Sequence, residues 1–124
     1  MTNMRTLGTQ VRLRRLVRSF TEAVERLLSE PAERRLADAV AGRLQVLAAQ
    51  VRESWARERL SGSSSEPIER YVDDSLRTME LTIAGLSQIG ADLELLRQDF
   101  EAAALPLEIF MRGLDAEPAL QRSA

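Results

Sequence analysis

Hydrophobic residues recur along most of this chain in steps of three and four, and no stretch alternates with period two for long enough to make a strand. That pattern predicts an all-α protein. From Val11 the apolar positions are Leu13, Leu16, Val17, Phe20, Val24, Leu27 and Leu28, one face of an amphipathic helix. Pro31 ends it, because the residue before a proline is pushed out of the helical region. A second face follows at Leu36, Val40, Leu44, Leu47, Val51 and Trp55 and runs to Leu60. The third is the most regular: Val72, Leu76, Met79, Ile83, Leu86, Gly90, Leu93, Arg97 and Phe100 alternate steps of four and three. This is the signature of a coiled-coil seam, with Gly90 and Arg97 as its two defects. Pro106 is expected to stop or bend that helix, leaving Leu107, Phe110, Met111 and Leu114 on one stripe of a short C-terminal helix that ends at Gly113. Residues 1–10 and 115–124 show no pattern and are expected to fray.

The stretches SEPAER (29–34) and SEPIER (65–70) are nearly identical, and both open helices. A serine or glutamate before the helix, a proline in its first turn and a carboxylate near the positive helix end are start signals. The face after the first stretch keeps an eleven-residue spacing and the face after the second a seven-residue one, so they read as shared punctuation rather than duplication. Between them SGSSS (61–65) is the strongest breaker cluster.

These elements predict a long antiparallel helical hairpin, about 32–60 and 67–104, with an N-terminal amphipathic helix and a short C-terminal one against it. The turn at 61–66 places Trp55 level with Tyr71 as an aromatic clasp. It also sets Gly42 level with Gly85, where two glycines would let the helices approach closely. The first helix is too short to cover such a hairpin. Leu81, Ile89, Leu95 and Leu96 lie off the main seam and need cover as well. Dimerisation through the seam of Val72, Leu76, Met79, Ile83, Leu86, Leu93 and Phe100 supplies it.

Composition narrows the chemistry. The 124 residues make one domain, 1–124. There is no cysteine, no histidine and no lysine, so all 17 positive charges are arginine. That removes thiolate and Schiff-base chemistry, the commonest general base and the commonest transition-metal ligand. The acidic pairs Asp73–Asp74, Asp92 with Glu94 and Asp99 with Glu101 are adjacent or alternate, so neither member shares a helix face with the other. No glycine-rich phosphate loop or nucleophile elbow is present. No catalytic residue, cofactor or metal is expected, and the chain is expected not to be an enzyme. With no secretory signal and no membrane-spanning run, a cytoplasmic setting is expected.

Charge is split. Residues 1–61 carry 12 arginines against 7 acidic residues, and 62–124 carry 5 against 12. Arg12, Arg14, Arg15 and Arg18 concentrate the positive charge on the first helix. Three readings stay open for them: a solvated face paired with the acidic third helix, a nucleic-acid or anionic-lipid patch, or a dock for an acidic protein. The stripe Leu107, Phe110, Met111 and Leu114 has two readings, core packing against the first helix or a partner-docking motif. The expected function is a non-enzymatic interaction protein (adaptor, assembly chaperone or accessory subunit) with a protein partner. The alternative is an arginine-mediated nucleic-acid-binding regulator.

Overall fold

The computed structural model describes residues 5–60 and 65–123, with the side chains of Pro31 and 116–123 left aside. The breaker cluster at 61–65 lies outside the described residues except for Ser65, as do residues 1–4 and 124. The protein is all-α. Helix α1 spans Leu7–Ser29, a 3-10 turn covers Pro31–Leu36, and α2 spans Ala37–Leu60, α3 Glu66–Gly85 and α4 Leu93–Ser123. Each helix packs on two neighbours, α1 on α2 and α4, and α3 on α2 and α4. The result is an antiparallel four-helix bundle closed within one chain.

Closure comes from a break the heptad pattern conceals. The expected helix over 67–104 ends at Gly85, and 86–92 turns the chain back. Gly90 sits there at φ +74°, a left-handed conformation that glycine adopts at little cost. Asp92 then caps the next helix, its Oδ1 accepting from the Leu95 amide at 3.1 Å. The seam residues Val72, Leu76, Met79, Ile83 and Leu86 are buried on α3, and Leu93 and Phe100 on α4. They therefore face the inside of a single chain, and the expected dimer seam is corrected to an intramolecular core. Phe100 stacks on Phe20 of α1 at its centre, ring centroids 3.9 Å apart and planes within 5°.

Pro106 does not stop α4, which runs through it to Ser123. Its missing N–H frees the carbonyl of Ala102, and both residues are exposed, so water can satisfy that oxygen. Meanwhile Ala104, Leu107 and Met111 bury the opposite face completely. The C-terminal segment expected to fray from 115 is helical through Ser123. Residues 5–10 are not frayed either. The Thr6 amide donates to Asp115 Oδ1 at 2.7 Å, Thr6 Oγ1 to the Met111 carbonyl at 3.1 Å, and the Thr9 amide to Glu58 Oε1 at 2.9 Å. Carboxylates from α2 and α4 thus occupy the positive end of α1.

Helix α2 buries Leu44, Val51 and Trp55 of the expected stripe and completes it with Ala37, Ala41 and Ala48, while Leu36 is exposed and Val40 and Leu47 are half-buried. Three alanines let neighbouring helices come close. Gly42 does not serve that purpose, since nothing lies within 4 Å of where its Cβ would stand. Gly85 does meet a neighbour, Leu96 of α4, at 2.8 Å from that point. Tyr71 meets Phe110 edge-on, with centroids 4.8 Å apart, in place of the expected clasp with Trp55.

Arg52 ties α2 to α3. It donates through Nε and Nη2 to the Glu80 carboxylate at 2.7 and 2.8 Å and through Nη1 to Asp73 at 2.7 Å. Arg59 and Glu69 meet nearer the turn at 3.2 Å.

Candidate partner-binding surface

Leu107, Met111 and Leu114 are buried in the bundle, and Phe110 is half-buried under Tyr71. The docking stripe assigned to this segment is therefore corrected to core, packed toward α1 and α3. Of the arginines, Arg14, Arg15 and Arg18 are exposed, and none makes an ion pair among the described residues. Arg12 is half-buried and donates to the Gly8 carbonyl at 3.2 Å. Pairing between the basic and acidic halves runs through Arg52 and Arg59 of α2 instead, because α2 is the basic helix that lies beside α3.

Among the faces the bundle leaves uncovered is the outer face of α3 and α4. Leu95, Ala102 and Ile109 repeat every seven residues on α4, opposite its core stripe, and all are exposed. Leu81 of α3 stands 66% exposed, Leu95 52% and Ile109 62%. Between the helices runs a wide groove of about 660 Å³ whose lining includes Tyr71, Ser75, Thr78, Thr82, Leu96, Ala102 and Ala103. Small residues on both helices keep it shallow and open. Its hydroxyls are largely turned away from a visitor: Thr78 Oγ1 donates to the Asp74 carbonyl at 3.1 Å and Thr82 Oγ1 to the Met79 carbonyl at 2.7 Å. The remaining charged groups lining it are Asp74 and Asp99. This is a trough with apolar walls and an acidic edge.

A second hollow of about 270 Å³ lies between α1 and α2 over Leu27, Leu44 and Leu47, with a rim of both signs from Glu22, Arg26, Glu33 and Arg43. Among the described residues no three acidic side chains gather to hold a metal, and no helix is long and apolar enough to cross a membrane. None of the protein families, curated proteins or solved structures compared with the chain matches it.

Sequence reasoning singled out Leu81 and Leu95 as lying off the seam and needing cover, but missed Ala102, Leu105 and Ile109. The signal was available. Leu95, Ala102 and Ile109 share one heptad position, and the seam drawn through Phe100 drew attention from it.

Proposed function

We propose that this chain is a non-enzymatic helical interaction protein, an adaptor, assembly chaperone or accessory subunit of a cytoplasmic complex, and that it receives a partner helix in the α3–α4 groove. The observation that supports this most is the groove itself, where Leu81, 66% exposed, lines one wall and Ala102 and Ala103 the other, open although the bundle has closed without it. Exposed apolar residues aligned along a groove favour association, each buried methylene being worth about 0.8 kcal/mol. The test places a photo-crosslinking residue at Ala102 in the groove and, as a control, at exposed Gln50 on α2. Crosslinks from native extract should form at Ala102 and be lost with Leu81→Glu and Leu95→Glu, while helicity is unchanged. Equal capture at both positions, or capture that survives the two charges, defeats the reading.

Arg14, Arg15 and Arg18, exposed and without an ion pair among the described residues, support a second reading, a nucleic-acid-binding regulator. Binding of a labelled duplex would then weaken with salt at a slope near −0.9 per phosphate neutralised. A flat or absent response rules it out.

A further inference from the structure

The face that α1 shares with α4 is separate from the groove, and its two rows complement each other across a two-fold axis. Phe20 stacks on Phe100, and Thr6 reaches the Met111 carbonyl, so α1 and α4 run antiparallel with those residues level. Both helices rise equally per residue. Val11, nine residues before Phe20, is therefore level with Ile109, nine after Phe100. Arg18 stands level with Glu101 to within one residue. Val11 and Ile109 are each 62% exposed. Arg18 and Glu101 make no ion pair among the described residues.

We propose that the chain forms a two-fold symmetric dimer through this face, α1 packing against α4 of a second copy. A two-fold axis parallel to the helices keeps every residue at its own level and brings each α1 opposite the other copy's α4. Val11 then meets Ile109 of the partner subunit, and Arg18 meets Glu101 of the partner subunit. Each contact occurs twice, as an isologous interface requires. The alternative arrangements are penalised: α1 on α1 sets arginine against arginine, and α4 on α4 sets glutamate against glutamate. Size also suffices. The 23 residues of α1 span about 35 Å, and two adjacent helices are about 20 Å wide. Two such faces together cover on the order of 1,200–1,400 Å², in the range of stable interfaces. The α3–α4 groove stays open on the outside of this dimer, so loss of the dimer and loss of groove binding are separable.

Sedimentation equilibrium of the full chain over a wide concentration range tests the proposal, with circular dichroism to confirm that each variant folds. The native chain should approach twice its 13.9 kDa mass. Arg18→Glu alone and Glu101→Arg alone should each weaken the dimer about tenfold or more, since each places two like-charge contacts in the interface. Mixing the two single variants should restore association as a heterodimer. Arg18→Glu of one chain then faces Glu101→Arg of the other, and the second contact is native. Pairing within a chain cannot produce that rescue. A native chain that stays monomeric overturns the proposal. So does a dimer indifferent to both charges, or a mixture that associates no better than its components.

Discussion

Two glycines show how much a residue's cost depends on where the backbone puts it. Gly42 lies exposed inside α2, with nothing within 4 Å of its missing Cβ. Gly42→Ala should stabilise the protein by about 0.5–1 kcal/mol in urea denaturation, since alanine lowers the entropy lost on forming the helix. Gly90 also has open space around it, yet its φ of +74° makes Gly90→Ala destabilising by about 1–2 kcal/mol. The two should move the urea midpoint in opposite directions. Asp73 offers a test by pH. Its hydrogen bond from Arg52 holds the carboxyl below the ordinary carboxylate range. A depressed pKa contributes stability that is complete above the unfolded value, about 3.9, and lost as pH falls through the folded one. The gap between the native chain and Asp73→Asn should be constant above about pH 5 and close on acidification. Asp73 is 44% exposed, so that gap stays below about 1 kcal/mol. Large apolar residues were legible one by one: Phe20, Val24, Leu44, Val51, Ile83 and Phe100 are all core. The alanine stripe of α2 was not, because alanine is as common on solvated helix faces as on buried ones and carries little pattern of its own.

At the scale of elements, punctuation carried the information that periodicity hid. The seam from Val72 to Phe100 keeps its period across a reversal of the chain because Leu86 and Leu93 both remain buried on either side of it. Glycine followed by Ala91 and Asp92 is a stop signal and then a helix cap, which was there to be read. Pro106 misled in the other direction. A proline inside a helix costs about 3 kcal/mol, which alone predicts a stop or a bend. Burial of Ala104, Leu107 and Met111 on the far side offsets it, since fully burying one large apolar side chain contributes about 1.5–3 kcal/mol. Pro106→Ala restores an N–H to the Ala102 carbonyl and should raise stability by about 1–3 kcal/mol, read as a higher melting temperature with unchanged helicity. A lower melting temperature would mean that the packing of α4 on α3 depends on the proline.

For the whole molecule, the reversal at 86–92 decides what the sequence could not: α1 with α2 forms a basic layer and α3 with α4 an acidic one, in contact within a single chain. Among the described residues, the ion pairs found to link the layers are Arg52–Asp73, Arg52–Glu80 and Arg59–Glu69, all between α2 and α3. Their side chains are 29–44% exposed, so salt screens them and each is worth well under about 1 kcal/mol, with the Arg52 cluster strongest because two of its bonds reach one carboxylate. Raising sodium chloride from low to about physiological strength and beyond should therefore lower stability by no more than about 1–2 kcal/mol. Urea is the right denaturant, because it adds no ions. Arg52→Met keeps the aliphatic stem, removes the charge from the centre of the layer contact, and should abolish most of this salt dependence. A native chain indifferent to salt would show that the contact between the layers is apolar in its energetics. Salt dependence that persists in Arg52→Met would place it in the field between the layers as wholes, seven net negative charges facing five net positive ones, rather than in any single pair.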